Sequence, residues 1–316
     1  MERSRQTAGR VTLRLAVATT TPGAVLMTGL APALFGLLLS LESRGSVAAL
    51  PAVLLLCIPS LMNAAVASLN DYFDYVSGND TPENVVSEAD GPLAWNRVAD
   101  PRPVLYFALA LLLAAALMGA VVVRLCGWLP AAVGAAGALI GLTYSGVGRG
   151  SSYLPIGEPL AGFTLGGLVP MGVFAALVGR IDWLLLWKAV PMMLIVSEFM
   201  LSNNTCDIER DRKAGRRTLP VIIGRERSEK LARVSIVLWL AQLVSVLAVW
   251  YPFGLMLMLP VLFLCRKGIR GAMYLPRTHE TKTPSTAALA LLAIGVSAGY
   301  PAAVGLHLLL TRLINT

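Results

Sequence analysis

The sequence predicts an all-α, polytopic membrane protein, and three observations carry that prediction. Of its 316 residues, 56% are hydrophobic and only 14% are charged, whereas a soluble chain carries about 25% charged residues. The 29 glycines that accompany this apolar excess suit helices packed closely in lipid. Apolar stretches also recur at a length near the roughly 20 residues needed to cross hydrocarbon. Nine such stretches are expected, over about 22–41, 47–70, 103–123, 128–147, 156–179, 183–206, 231–250, 252–265 and 285–311.

The elements follow in order. Met1 to Thr12 is polar and basic, and Arg3, Arg5, Arg10 and Arg14 make residues 1–21 a cytoplasmic anchor without a cleavable signal pattern. The first span follows it, and the second ends in a run of acids. Spans three and four come after a long polar loop, and spans five and six lead into a second acidic run. The short eighth span follows the seventh across Tyr251-Pro252, a turn in which proline opens the next helix. Cys57, Cys126, Cys206 and Cys265 are scattered without CxxC spacing and read as small buried hydrophobes.

Charge orients the bundle. All but five of the 26 Lys and Arg residues fall at one set of helix ends and loops, the exceptions being Arg44, Arg124, Arg180, Lys188 and Arg312. By the positive-inside rule that set faces the cytoplasm, in a multi-pass protein of the plasma membrane. Nine spans then put the C-terminus outside. The partner implied by this surface is a lipid bilayer, and no nucleic-acid partner is expected. Loops 71–102 and 207–230 lie on the basic side and are long, charged and rich in Gly and Pro, as functional loops are.

The first acidic run is Asn70-Asp71-Tyr72-Phe73-Asp74, with Gly78-Asn79-Asp80 after it. At about 100° per residue, Asn63, Asn70 and Asp74 share a helix face, and Asp71 lies on a neighbouring line. Carboxylates at a helix C-terminus are repelled by the dipole, so this set calls for a cation. Amide and carboxylate oxygens at four-residue spacing suit Mg²⁺, which shares its shell with water and substrate phosphate. Asn63 suits an interhelical hydrogen bond at least as well as a ligand role. Past the Gly78-Asn79 break, Asp80 is expected on the loop.

The second run places Asn204, Asp207 and Asp211 on one face, with Asn203 beside them. Glu209 points elsewhere and is expected to pair with a nearby arginine. Arg210, Arg212, Lys213, Arg216 and Arg217 follow at once, with Gly215 allowing a turn. Carboxylates for a metal next to cations for phosphate oxygens is the arrangement that diphosphate chemistry requires. A transporter would instead carry its acids near the midplane on broken helices, and here they cluster at one boundary.

On these motifs the chain resembles the UbiA-type intramembrane prenyltransferases, which carry Asn-Asp-x-x-Asp and Asp-x-x-x-Asp. The matching residues are Asn70-Asp71-Tyr72-Phe73-Asp74 and Asp207-Ile208-Glu209-Arg210-Asp211. Within that family it is most similar to the 1,4-dihydroxy-2-naphthoate prenyltransferases. Gly78-Asn79-Asp80, Asn203-Asn204 through Gly215-Arg216-Arg217-Thr218-Leu219, and Tyr144-Ser145-Gly146 leading to Ile156-Gly157-Glu158 carry that likeness. Cys206 departs from it, standing where a basic residue is usual.

The resemblance implies a helical bundle around a central cavity under cytoplasmic cap loops. It implies prenyl transfer from a polyprenyl diphosphate to an aromatic acceptor, 1,4-dihydroxy-2-naphthoate, with Mg²⁺ as cofactor. Asp71, Asp74, Asp207 and Asp211 would be catalytic. Asn70, Asp74, Asp80, Asn204, Asp207 and Asp211 would hold metal. Lys213, Arg216, Arg217 and Arg149 would contact phosphate, while Tyr72, Tyr144 and Tyr153 offer π faces to an allylic cation. Asn63, Asn203 and Glu158 complete the expected substrate site. Glu198, on the opposite helix face, is expected in a buried pairing or a hydrogen-bond role.

Overall fold

The structure, a computed structural model, describes residues 10–144 and 150–315. The described residues form helices α1 (Pro22–Arg44), α2 (Ala49–Val76), α3 (Arg102–Cys126), α4 (Leu129–Tyr144), α5 (Gly157–Val178), α6 (Trp183–Cys206), α7 (Arg225–Trp250), α8 (Pro252–Leu264), α9 (Arg266–Tyr274) and α10 (Lys282–Asn315). Every stretch expected to span therefore holds a helix among the described residues. Among the described residues, seven helices are long and apolar enough to cross alone, and α8 with α9, bent by 58°, makes an eighth. Helix α4 is apolar, and its 16 described residues run to Tyr144, where the described stretch ends. Several of these apolar helices together make a multi-pass membrane protein.

Packing follows residue size. Helix α1 lies on α5, α2 on α3, α6 on α7, and α10 gathers α1, α8 and α9. The core sits among α1, α5, α6, α7 and α10, where Phe35, Trp239, Leu243, Tyr251 and Tyr300 are fully buried. Close approach is paid for in glycine. A Cβ on Gly166 would lie 2.4 Å from the Met193 backbone nitrogen, so only a bare turn lets α5 rest on α6. On α3, by contrast, Leu109, Leu113, Leu117, Val121 and Leu125 form an exposed stripe. Four-residue spacing puts that stripe on one face, as lipid contact requires.

Two helices widen locally. Helix α1 adopts a π turn over Leu26–Leu30 and α5 over Phe163–Leu168, a local geometry often found at functional sites. Met27, Thr28, Thr164 and Leu165 from these turns line a cavity between α1, α2, α3, α4, α5 and α6. The bundle's two ends differ. At one end the helix Leu13–Thr19 seats Leu15 against Leu93, Val98 and Val104 of the chain that follows α2. At the other, Arg312 donates to the Gly45 carbonyl at 2.8 Å. There too Lys188 Nζ donates to Tyr251 Oη (2.7 Å), which donates to Glu42 Oε2 (2.8 Å).

Candidate active site

The cavity has a volume of about 960 Å³, and its character changes along its length. Its deeper wall is apolar, from Ile58, Val122, Gly134 and Leu168 among others. Its mouth is ionic: Asp71, Asp74, Asp80, Asp90 and Asp207 line it together with Arg210, Arg216 and Lys282. Asp211 is buried directly behind Arg216, whose Nη1 lies 3.5 Å from Asp211 Oδ1.

Helix α2 delivers the first motif. Asn70 Nδ2 donates to Asp74 Oδ2 across one turn at 2.9 Å. The helix ends at Val76, and Gly78 takes φ +76°, which reverses the chain. Asn79 then donates to Asp74 Oδ1 at 3.1 Å, and the Asp80 amide bonds the Asp74 carbonyl at 3.0 Å. Asp80 is on the loop, as its position after the break predicts, and is nearly fully buried. That burial pushes its carboxyl up to about 6, against the pull of Arg210 and with Asp74 and Asp90 adding.

Helix α6 ends at Cys206, and Asp207 sits at the break before the short helix Ile208–Lys213. The backbone bonds Asp207 to Asn203 and Asp211 to Asp207 continue across it, so the expected face survives. Asp211 accepts from Thr218 Oγ1 at 3.3 Å. Burial pushes it up to about 6, opposed by Arg216 and reinforced by Asp207. The chain then reverses at Gly215 (φ +72°) and brings Arg216 back between the motifs. Arg216 Nη2 reaches Asp74 Oδ1 at 2.7 Å, so one guanidinium bridges the two acidic runs. Burial would lower the pKa of Arg216, but Asp74 and Asp211 hold it above the usual range.

Other expected residues fall in three groups. Asn63, Asn70, Tyr144, Asn203 and Asn204 line the cavity. Asn63 donates to Thr28 Oγ1, the interhelical bond considered for it. Tyr153 and Glu158 stand behind the wall. The Tyr153 ring carries the Arg216 guanidinium at 4.9 Å, and its hydroxyl accepts from Asn79. Glu158 is buried and accepts from Asn204 at 2.9 Å. Outside the lining lie Tyr72, packed against the Leu15–Val98 cluster, and Lys213 and Arg217, which are exposed. The Arg217 amide donates to the Tyr153 carbonyl at 2.9 Å. Arg149 lies outside the described residues.

Glu209 forms the expected pair, with Arg225 at 2.6 and 2.7 Å. Glu198 pairs with buried Arg277 at 3.5 Å. Sequence reasoning missed Asp90 and Lys282, and ranked Arg210 below Lys213. Lys282 had one signal: it opens a helix, where the dipole disfavours a cation.

Whether these residues fit Mg²⁺ is decided by their free oxygens. Asp71 Oδ2 and Asp207 Oδ1 are buried and have no hydrogen-bond partner in the protein. Buried carboxylate oxygen is costly unless a cation or donor meets it. Among the described residues no three acid, His or Cys side chains close into a cage. An open set of hard oxygens is what Mg²⁺ uses when substrate phosphate completes its shell. The residues fit the ion.

Residues 29–295 match the family model described as the UbiA prenyltransferase family. The chain belongs to this family. It is 31% identical over 166 residues to 1,4-dihydroxy-2-naphthoate octaprenyltransferase of Bacillus subtilis, covering 52% of each chain. It is 32% identical over 186 residues to the like-named protein of Mycobacterium tuberculosis, covering 57% of this chain and 60% of that one. The match thus spans about half to three fifths of these curated relatives. A UbiA homolog from Archaeoglobus fulgidus bound to GPP and Mg²⁺ superposes with TM-score 0.61 at 17% identity, covering 92% of this UbiA chain and 99% of the other. One from Aeropyrum pernix gives 0.62 at 19%, covering 91% and 98%. At these identities the likeness concerns the fold.

Proposed function

We propose that this chain transfers a polyprenyl group from polyprenyl diphosphate to 1,4-dihydroxy-2-naphthoate, with loss of diphosphate and CO₂, giving demethylmenaquinol. One observation carries the reading: two acidic motifs and the cations between them crown a long apolar cavity. That shape and polarity match a molecule with a diphosphate head and a hydrocarbon tail. The names of the Bacillus and Mycobacterium relatives support the naphthoate acceptor.

Charge supports a metal-bearing substrate. The five aspartates of the mouth and Asp211 face three cations, Arg210, Arg216 and Lys282, so a bare diphosphate would meet a net negative wall. Mg²⁺, held by Asn70, Asp71, Asp74, Asp80, Asn204, Asp207 and Asp211, would neutralise the diphosphate and make it a leaving group. Arg216 and Arg210 are placed to pass from carboxylates to phosphate oxygens as the charge of the leaving group grows. The apolar wall and loop 77–101 keep water from the allylic cation, and Tyr144 offers it a ring face. The electron-rich naphthoate ring attacks through the carbon bearing its carboxylate. The C–CO₂⁻ electron pair then returns to the ring as CO₂ leaves, so no base is needed at that carbon. Glu158, behind Asn204, is the group available to steady an acceptor hydroxyl.

The same reading takes residues 1–316 as one intramembrane domain with the motif end and N-terminus cytoplasmic. The N-terminal helix and Arg312 lie at opposite ends of the bundle, which supports an odd number of crossings with the C-terminus outside. Purified protein in detergent, given Mg²⁺, a polyprenyl diphosphate and a panel of aromatic acids, tests the proposal. Mass spectrometry should find the decarboxylated prenyl naphthol, with CO₂ released in step and EDTA stopping both. Mg²⁺-dependent transfer to a lipid alcohol alone would overturn the acceptor. Full turnover by Asp74→Ala or Asp211→Ala would overturn the site.

A further inference from the structure

Lys282 is the first residue of α10 and is almost fully buried. A helix N-terminus carries partial positive charge, so burying an ammonium there is unfavourable unless acids surround it. Two do. Lys282 Nζ lies 2.7 Å from Asp207 Oδ2 and pairs as well with Asp90 Oδ1. Asp90 is held in its turn: its Oδ2 accepts from the Val86 amide at 3.1 Å and lies 3.7 Å from Arg210 Nη1.

The two oxygens of Asp207 are treated unequally. Oδ2 takes both cations, Lys282 from α10 and Arg210 Nη2 at 2.6 Å. Oδ1 is buried and receives no bond from the protein. A carboxylate gripped at one oxygen from two sides cannot rotate freely, and its other oxygen is thereby assigned to whatever occupies the cavity. Groups that orient a ligand in this way contribute about 10- to 100-fold in metal affinity or activity.

We propose that Lys282 is a positioning residue: it fixes the Asp207 carboxylate for a divalent cation and, through Asp90, fastens the loop between the first motif and α3 across the cavity mouth. The inference rests on the reading of Asp207 as a metal ligand given above. It separates from plain electrostatics by sign. Deleting a neighbouring positive charge should tighten metal binding if charge alone counts. Deleting a positioning group should weaken it.

The test uses the full chain in detergent and Mn²⁺ as the probe, followed by electron paramagnetic resonance with no acceptor present. Lys282→Met and Asp90→Asn should each weaken Mn²⁺ binding by about 10-fold or more, and Lys282→Arg should recover part of the loss. Amides of residues 77–101 should exchange hydrogen faster in Lys282→Met and Asp90→Asn than in the parent. Tighter or unchanged Mn²⁺ binding in Lys282→Met would overturn the proposal. So would slower turnover in Lys282→Met beside an unaltered Asp90→Asn, which would make Lys282 a direct phosphate contact. Should the parent chain bind no Mn²⁺ at a site abolished by Asp211→Ala, the metal reading itself fails, and the two failures are thereby told apart.

Discussion

Replacing Arg216 by glutamine tests the bridge between the motifs most directly. Glutamine keeps a donor and much of the length but removes the charge that Asp74 and Asp211 share at 2.7 and 3.5 Å. The site is mostly shielded from solvent, with both Arg216 and Asp74 side chains 15% exposed, so the interaction is only partly screened. A hydrogen bond to a charged partner contributes about 1.5–3 kcal/mol, which is roughly 10- to 100-fold in kcat/KM if the guanidinium serves the diphosphate. A second effect adds to it. Arg216 opposes the burial that pushes Asp211 up to about 6, so its loss should raise that carboxyl further. At about 1.36 kcal/mol per pH unit, even a modest loss of attraction moves the acid limb of kcat/KM up by about one unit. Initial rates against prenyl diphosphate, from pH 5 to 8, report both effects. Arg216→Lys should restore the limb more than the rate, because a point charge cannot span both acids. A folded Arg216→Gln chain with kcat/KM within about twofold of the parent and an unmoved limb would refute the bridge.

Other outcomes are expected. Activity at low Mg²⁺ should fall below about pH 6 as Asp80 and Asp211 take up protons, and added Mg²⁺ should shift that fall downward because metal and proton compete. Stability should move the other way: carboxyls raised on folding bind protons more tightly in the native state, so their contribution rises from about pH 7 to about pH 4, readable as melting temperature in detergent. Glu198→Leu leaves buried Arg277 with only neutral acceptors, Ser202 Oγ and the Ala272 carbonyl, and should cost about 3–5 kcal/mol, most of it recovered in the Glu198→Leu/Arg277→Met double variant; additive losses in chemical denaturation would count against the pair. Gly166→Ala forces a Cβ against the Met193 backbone and should cost about 1–3 kcal/mol. Gly119→Ala, with open space around it, should be neutral or gain up to about 1 kcal/mol.

How much of this was readable in one dimension depended on whether the information was local. Helical spacing alone put Asn70 and Asp74 together, and separated Glu209 from Asp207 and Asp211, because those relations are set within a few turns. Span positions were legible for the same reason, and each apolar stretch holds a helix among the described residues. Among the basic residues after Asp211 local pattern failed. Lys213 and Arg216 look equivalent in sequence, yet a reversal at Gly215 brings one to the cavity and leaves the other in solvent. Tyr72 looked available for a carbocation and instead packs on Leu15 and Val98. Asp90 and Lys282 were out of reach altogether, since their meeting depends on how a loop and the last helix fold onto α6.

The two π turns described above have a consequence beyond widening the cavity. A π turn holds one residue more per turn than an α turn, so each loosens the helix where it faces the cavity. The interval from Leu26 to Phe163, where the turns begin, equals the interval from Asp74 to Asp211. Each π turn therefore begins the same number of residues ahead of its own acidic motif. Turn and acid thus recur together along the chain, and Arg216, paired with both Asp74 and Asp211, ties the two occurrences into one cavity mouth.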